Sequence, residues 1–296
     1  MSGSYKGQYT GLAGIDFESM SRSGLEKAFL EILKNKIHGI SFSAYLEGQG
    51  PGSQISREQV RGRMEILQPY VKWVRSFSCV DGNELIPEIA HEYGLKTLVG
   101  AWLGDDKEMN EDEIKGVIEV AKAGHADIIA VGNEVLLRGD LSEDEIIDYI
   151  NRVKDNVPGI PVGYVDAYYE FANHPRICDA CDVLLVNCYP FWEGFPREHS
   201  LSYMKNMYQI AKNAAGGKKV IISETGWPDR GSAVKESVPS RENALKYFIN
   251  TYKWAEEDNI DVFYFASFDE TWKVDAEGDV GAYWGLWDKD GNLKYQ

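Results

Sequence analysis

The chain has 296 residues, of which 44% are hydrophobic, 12% aromatic and 26% charged. This composition is typical of a globular protein with a sizeable core, and it excludes disordered and collagen-like chains. No apolar run approaches the roughly 18 residues that span a bilayer, so no membrane partner is expected. The net charge of −16 would repel phosphate backbones, which argues against nucleic acid as a partner.

Eight apolar runs of strand length follow one another along the chain, with helical patterns between them. Several are nearly continuous in Ile, Val, Leu and Phe, as is typical of parallel strands that are covered on both faces. The runs begin at Ile37, Lys72, Leu95, Asp127, Ile160, Asp182, Lys218 and Asp261.

The segments between these runs carry signals for helix ends. Ser56 with Gln59, and Ser142 with Glu145, have the spacing of a capping box, so both pairs predict helix starts. In "NEDEIKGVIEVAKAG" apolar residues recur at helical spacing, and Gly124 stands where that helix would stop.

The strand starts are separated by close to the roughly 30 residues of one βαβ unit. Eight such units predict a single α/β domain, a closed (β/α)8 TIM barrel over residues 1–296, in which 1–36 form an N-terminal extension and the lead-in to strand one. An open doubly wound sheet is the alternative, but no G-x-G-x-x-G follows the first strand.

Cysteine and histidine usage indicates neither a disulfide framework nor a metal site. Cys178 and Cys181 form a lone C-x-x-C with no second pair, and we predict a structural role for them. The five histidines show no paired spacing, so we expect no metal and no cofactor.

Barrel enzymes place their chemistry at the carboxyl ends of the strands, so polar and aromatic residues that close the apolar runs are the candidate site residues. Carboxylates and aromatic side chains dominate this set. It comprises Tyr45, Trp102, Asn133, Glu134, Asp166, Asn187, Tyr189, Trp192, Glu224, Trp227, Glu270, Trp272 and Lys273.

Glu134 and Glu224 close strands four and seven and can therefore face each other across the mouth. Hydrolysis of a glycoside with retention needs one protonated and one ionised carboxyl group about 5 to 5.5 Å apart. The charge of one carboxylate raises the pKa of the other, which sets up those two states. The pair predicts a covalent glycosyl intermediate.

From about Ile40 to Leu286 the chain resembles glycoside hydrolase family 17, the β-1,3-glucanases and related glucanosyltransferases. "AVGNEV" looks like that family's acid/base motif, which implies Glu134 as proton donor with Asn133 bound to the sugar 2-hydroxyl. "ISETGWP" looks like its nucleophile motif, which implies Glu224 as nucleophile.

Two further segments carry the same resemblance. "NCYPFW" implies a sugar contact from Tyr189, and "FASFDETWK" implies that Glu270 and Lys273 line the donor-side site. The "RSFSC" segment and the Gly-rich loop after Tyr45 depart from the plant pattern, so the chain is more similar to microbial members.

Indole rings stack on the apolar faces of sugars, so tryptophans of the candidate set are expected either to contact substrate in this way or to support the catalytic residues by packing. Trp192 and Trp272 are the pair that we expect to touch substrate, whereas Trp227 is expected to support Glu224.

The interpretation is a retaining hydrolase of laminarin-type β-1,3-glucan. A glucanosyltransferase that uses the same glutamates is the nearest alternative, β-1,4-glucan or mannan is another substrate class, and a non-catalytic carbohydrate-binding barrel belongs to a different class. Because polymeric glucan cannot cross a membrane, we favour an exported monomer, extracellular or periplasmic, whose leader is absent from this sequence. The sequence and its thiols fit the cytoplasm as well, which is the alternative.

Overall fold

The computed structural model describes residues 15, 17 and 20–296, and its eight parallel strands close into a barrel. Each strand pairs with the next in chain order, and the first strand closes on the last through Gly39 with Phe263 and Ile40 with Tyr264. The strands are β1 Ile37–Ser41, β2 Val71–Arg75, β3 Lys96–Ala101, β4 Ile128–Asn133, β5 Val162–Ala167, β6 Val183–Asn187, β7 Lys219–Thr225 and β8 Val262–Tyr264. The (β/α)8 barrel is confirmed, and the open sheet is excluded.

Helices follow the strands and cover the outside of the barrel. They are α1 Arg22–Lys34, α2 Arg57–Leu67, α3 Leu85–Glu92, α4 Lys107–Lys122, α5 Val135–Arg138, α6 Glu143–Asn156, α7 Glu170–Asn173, α8 Pro175–Ala180, α9 Arg197–Ala214, α10 Arg241–Glu257 and α11 Val274–Glu277. Two 3₁₀ helices, Thr271–Lys273 and Asp279–Tyr283, flank α11 beyond the last strand.

The predicted strands begin within two residues of the observed ones, because continuous apolar runs are the signal of strands buried on both faces. Every residue of β4 and of β6 is buried. The last strand is shorter than its apolar run: β8 ends at Tyr264, and Phe268 instead forms a bridge with Trp287.

One of the two predicted capping boxes is confirmed. Ser142 accepts a hydrogen bond from the Glu145 amide, and Glu145 accepts from the Ser142 amide at 3.0 Å. The second prediction is wrong in part. Ser56 caps α2, but the Gln59 side chain donates to the Ala44 carbonyl oxygen at 2.7 Å. That bond ties α2 to the loop after β1.

The inside of the barrel is filled, so chemistry is confined to its mouth. Strand side chains form an inner cluster that includes Leu98, Val165, Leu185 and Phe263. Gly39 is required there, because a Cβ atom at this position would lie 2.5 Å from the Phe263 ring.

The C-x-x-C motif forms the end of a helix and the turn after it. The Lys218 ammonium group donates to the carbonyl oxygens of Cys178, Asp179 and Cys181 at 2.7, 2.9 and 2.7 Å. Burial raises the pKa of the Cys178 thiol to about 11 and that of Cys181 to about 12, so both stay protonated at neutral pH. These contacts fit the structural role.

Within the described residues, no helix is both long and apolar enough to cross a bilayer. Nor does any group of three or more His, Cys, Asp or Glu side chains in that part of the chain have the arrangement of a metal site.

The predicted N-terminal extension, 1–36, lies in part outside the described residues, and most of its described part is helix α1. This helix packs on α10, where the ring centroid of Phe29 lies 4.8 Å from that of Phe248 and 5.2 Å from that of Tyr295. Phe29 is completely buried, so the helix shares the core of the barrel.

We expect Phe29→Ala to lower the free energy of unfolding by about 3–5 kcal/mol, because it leaves a cavity between α1 and α10. Urea denaturation followed by circular dichroism measures this loss. Lys27→Ala, an exposed change in the same helix, is the control and should stay within about 0.5 kcal/mol of wild type. Equal midpoints for both variants would contradict the proposal that α1 belongs to the same cooperative domain as the barrel.

Candidate active site

Four polar residues at the carboxyl ends of four strands meet at the barrel mouth. Arg75 ends β2, Asn133 ends β4, Asn187 ends β6, and Glu224 lies one residue before the end of β7. Each is at least nine-tenths buried, and Asn187 is in register with Glu224. Polar side chains that are buried this deeply need hydrogen-bond partners, and they find them in one another.

Glu224 accepts hydrogen bonds at both carboxylate oxygens. Tyr189 donates its hydroxyl to Oε2 at 2.7 Å, and Arg75 donates from Nη1 to Oε1. Burial, followed by the negative charge of Glu224, raises the pKa of Tyr189 well above its usual value, so the phenol remains a donor. The guanidinium balances the buried charge of Glu224.

Arg75 joins three strands, because it ends β2 and binds groups of β4 and β7. Besides Glu224 it donates from Nη1 to the Ser223 carbonyl oxygen at 3.0 Å, and from Nη2 to Asn133 Oδ1 at 2.7 Å. Its guanidinium carbon lies 4.4 Å from the centroid of the Phe77 ring. Arg75 thereby fixes the Asn133 amide with its NH₂ group free to donate elsewhere.

Glu134 stands in a left-handed turn directly after β4, with φ 53° and ψ 33°. That conformation is uncommon for a residue with a side chain, and hydrogen bonds hold it in place. The Glu134 amide donates to the Val165 carbonyl oxygen at 2.8 Å. Two residues on, the Leu136 amide donates to the Tyr164 hydroxyl at 2.8 Å and to Asp166 Oδ2 at 3.2 Å.

The Glu134 carboxyl group has a different environment from Glu224. Its Oε1 accepts a hydrogen bond from Asn187 Nδ2 at 2.9 Å, and Ser223 donates to Asn187 Oδ1 at 2.8 Å, which fixes the orientation of that amide. Burial and the negative charge of Glu224 raise the pKa of Glu134 from 4.5 to about 7. A carboxyl group with this pKa is protonated in acidic solution and about half protonated at neutral pH.

A buried ion pair between Glu270 and Lys273 lies beside this centre. Glu270 Oε2 lies 2.5 Å from the Lys273 ammonium nitrogen, both side chains are buried, and Trp272 donates to Glu270 Oε1 at 3.0 Å. The ammonium nitrogen also lies 4.1 Å from the Phe265 ring centroid, and that ring contacts Tyr189 edge to face. The pair therefore forms the wall next to Glu224.

The aromatic residues of the candidate set lie at different depths. Trp102 and Trp192 are 39% and 37% exposed, and Tyr45 meets Trp272 at right angles with centroids 6.1 Å apart. Tyr45 and Trp272 line a pocket with Arg63, Glu270 and Lys289. These four rings have surface from which to contact a sugar.

Asp166, a predicted substrate contact, and Trp227, which is expected to support Glu224, both lie in the core. Asp166 is completely buried and accepts from the Leu136 and Ala167 amides and the Tyr164 hydroxyl, so it supports the Glu134 turn from below. Trp227 is 1% exposed and donates to the Val238 carbonyl oxygen at 3.0 Å. The core encloses both side chains.

Sequence reasoning missed Arg75, Glu277 and Trp284. An arginine at the end of a buried apolar strand is a usable signal, since such a charge is rarely buried unpaired. Glu277 lies in a helix beyond the last strand; burial and the charges of Glu224 and Glu270 raise its pKa to about 7, although Lys273 acts against this. Trp284 packs between Tyr189 and Trp192 at centroid distances of 5.6 and 5.4 Å.

The raised pKa of Glu134 predicts a pH dependence of the free energy of unfolding, which can be measured without substrate. The folded state holds this proton more tightly than the unfolded chain does, so the associated stability is present below about pH 4.5 and is lost as the pH rises to about 7. Glu134→Gln cannot ionise, and we expect it to exceed wild type in free energy of unfolding by about 1–3 kcal/mol more at pH 8 than at pH 4.5.

Denaturant titrations at pH 4.5, 6 and 8 measure this difference. The exposed Glu119→Gln is the matched control, and its difference from wild type should be the same at every pH within about 0.5 kcal/mol. A flat difference for Glu134→Gln as well would contradict the electrostatic account of the site.

Known proteins match this chain in sequence and in fold. The family model of the BtgE/BtgC glycoside hydrolase domain matches residues 39–285. The chain is 30% identical over 261 residues to the glucan 1,3-beta-glucosidase BGL2 of Candida albicans, an alignment that covers 79% of this chain and 84% of that protein.

Solved structures of related enzymes have the same fold. A glycoside hydrolase family 17 beta-1,3-glucanosyltransferase from Rhizomucor miehei is 29% identical with a TM-score of 0.80, covering 88% of this chain and 96% of that one. An endo-laminarinase from Formosa, 20% identical, shares the fold with a TM-score of 0.75 over 90% of this chain and 87% of its own. The family expected from the glutamate motifs is confirmed: the chain is a glycoside hydrolase that belongs to the BtgE/BtgC domain family, within glycoside hydrolase family 17.

Proposed function

We propose that this protein is a retaining β-1,3-glucan hydrolase in which Glu134 is the acid/base and Glu224 the nucleophile. The observation that carries the proposal is the unequal environment of two neighbouring carboxyl groups. Glu224 accepts from a guanidinium and a phenol, whereas Glu134 is bound by a neutral amide and has a pKa of about 7. Environments that separate two carboxyl groups in this way assign the roles of acid and base.

In the first displacement the Glu224 carboxylate attacks the anomeric carbon while Glu134 gives its proton to the departing glycosidic oxygen. As the carboxylate becomes an ester its charge falls, and Glu134 becomes the ionised partner. The electrostatic cause of the raised pKa of Glu134 is then partly removed, so this group is suited to act as a base in the second step.

In the second displacement Glu134 takes a proton from water as the water oxygen attacks the anomeric carbon and the bond to Glu224 breaks. Two inversions give net retention of configuration. Arg75 and Tyr189 lie at the two oxygens of Glu224 and can stabilise the carboxylate as it leaves.

The substrate class rests on the relatives. Those at about 30% identity are named for β-1,3-glucan, and the exposed rings of Trp102 and Trp192 and the half-buried ring of Trp272 suit the apolar faces of glucose units. We propose an exported monomer that acts on this polymer, because a glucan chain reaches the cleft only outside the membrane. The net charge of −16 argues against nucleic acid as a partner.

Transfer to a second glucan is the other candidate function. One observation favours it: Trp102, at the end of β3 next to the Glu134 turn, leaves 39% of its surface exposed where an acceptor sugar could stack. The two functions share the first displacement and differ in whether water or a sugar hydroxyl resolves the intermediate.

The roles of the two glutamates can be separated with azide and a dinitrophenyl laminaribioside, whose leaving group needs no protonation. In Glu224→Ala azide fills the vacated space and attacks once, so the product should be the α-glycosyl azide. In Glu134→Ala the intermediate still forms and azide resolves it, so the product should be the β-glycosyl azide. Without azide both variants should lose activity on laminarihexaose by about 1,000-fold or more.

Glu277→Ala is the control, because it removes a third carboxyl group near the same centre and should yield no glycosyl azide. Laminarihexaose and cellohexaose, incubated with wild type, test the linkage. Cleavage of cellohexaose alone would reject the β-1,3 assignment, and the same azide anomer from both glutamate variants would reject the assigned roles. Oligosaccharide binding without turnover at any pH would favour the binding-protein alternative.

A further inference from the structure

Arg138 is a charged residue near the mouth that the mechanism above does not use. It ends the short helix α5, four residues after Glu134, and its amide donates to the Glu134 carbonyl oxygen at 2.9 Å. Its guanidinium donates to the carbonyl oxygens of Asn133 and Leu103, the latter at 2.7 Å, and to Asp140 Oδ2 at 2.7 Å. One side chain therefore links the end of β4 to the segment after β3.

The same guanidinium lies against Trp102. Its central carbon is 4.8 Å from the centroid of the indole ring, and Trp102 immediately precedes Leu103, whose carbonyl oxygen Arg138 also binds. A planar guanidinium can stack on a ring and keep its in-plane hydrogen bonds, which an ammonium group cannot do. Arg138 thus holds both the backbone and the ring of Trp102, while 39% of that residue stays open to solvent.

Trp102 lies on the acid/base side of the centre. The residue that binds its ring also binds Asn133 and Glu134 through their backbone oxygens. A general acid stands beside the leaving oxygen, so this side of the cleft receives the leaving sugar and, later, the incoming acceptor. The opposite wall, with Glu270 and Lys273, lies next to Glu224 through Phe265 and Tyr189.

We propose that Arg138 is a positioning residue that holds Trp102 as the stacking platform for the acceptor sugar and thereby favours transfer over hydrolysis. This inference rests on the proposed function. In the step concerned, an acceptor hydroxyl oxygen forms a bond to the anomeric carbon as the Glu224 ester bond breaks. Its proton passes to the Glu134 carboxylate, and the Glu224 carboxylate is released.

The ratio of transfer to hydrolysis separates positioning from general support of the fold. Both products come from the same glycosyl enzyme, so a variant that only destabilises the protein or slows the first displacement lowers both and leaves the ratio unchanged. A change in the ratio reports on how the acceptor competes with water.

The test is a short incubation of laminarihexaose in H₂¹⁸O with wild type, Arg138→Gln, Arg138→Lys, Trp102→Ala and the double variant Trp102→Ala/Arg138→Gln. Mass spectrometry counts longer oligosaccharides as transfer and ¹⁸O-labelled new reducing ends as hydrolysis. We expect the ratio to fall about fivefold in Arg138→Gln and in Trp102→Ala. Arg138→Lys should not restore it, and the double variant should fall no further than Trp102→Ala, because both changes remove one platform.

Arg152→Gln is the matched control. Arg152 makes the same kind of contacts on the outer surface, with its guanidinium carbon 5.1 Å from the Tyr149 ring centroid and a salt bridge to Glu111. The ratio of transfer to hydrolysis for Arg152→Gln should equal that of wild type. A ratio for Arg138→Gln equal to that of Arg152→Gln would overturn the inference, as would a double variant that falls by the product of the two single effects.

The outcomes for wild type distinguish the inference from the function beneath it. If wild type hydrolyses laminarihexaose but forms no oligosaccharide longer than the hexaose, the inference is overturned and the assignment as a hydrolase stands. Wild type that cleaves no β-1,3-glucan overturns the proposed function itself.

Discussion

The mouth of this barrel depends on one buried guanidinium. Arg75 is 1% exposed and binds Glu224, the Ser223 carbonyl oxygen and Asn133, so it joins the ends of β2, β4 and β7. Removing one partner of a buried ion pair leaves an uncompensated charge, which costs about 3–5 kcal/mol. The position of Glu224 is thus coupled to the stability of the whole mouth.

The second constraint is that two carboxyl groups share a site with one cation. Arg75 and Tyr189 contact Glu224, which leaves Glu134 with the Asn187 amide. The charge of one group then acts on the pKa of the other, and the asymmetry of their partners decides which one keeps the proton. The chemistry follows from how the barrel distributes a few donors between the two carboxyl groups.

The two walls of the cleft are held by different interactions. Next to Glu224 a buried ion pair, Glu270 with Lys273, packs against the rings of Phe265 and Trp272. Next to Glu134 the guanidinium of Arg138 holds an exposed indole. A buried wall on one side and an open ring on the other fit the proposed intermediate, which water or a sugar can resolve.

Much of this architecture could be predicted without coordinates, because its signals are local. Continuous apolar runs predicted the first residue of each strand to within two residues. A carboxylate at the end of such a run identified Glu134 and Glu224 as mouth residues. The same rule also selected Asp166 and Trp227, which the structure buries in the core. A residue at a strand end can point into the cleft or into the surrounding core, and only packing decides between these directions.

The sequence by itself determined the barrel, the family and the two glutamates, since periodicity and motif spacing act over a few residues. Tertiary structure alone decided which groups surround them. Arg75 and Glu224 lie 149 positions apart, and Glu277 comes from a helix beyond the last strand, so no local pattern connects them. Burial and charge at the mouth depend on these long-range neighbours, and they set the protonation of Glu134.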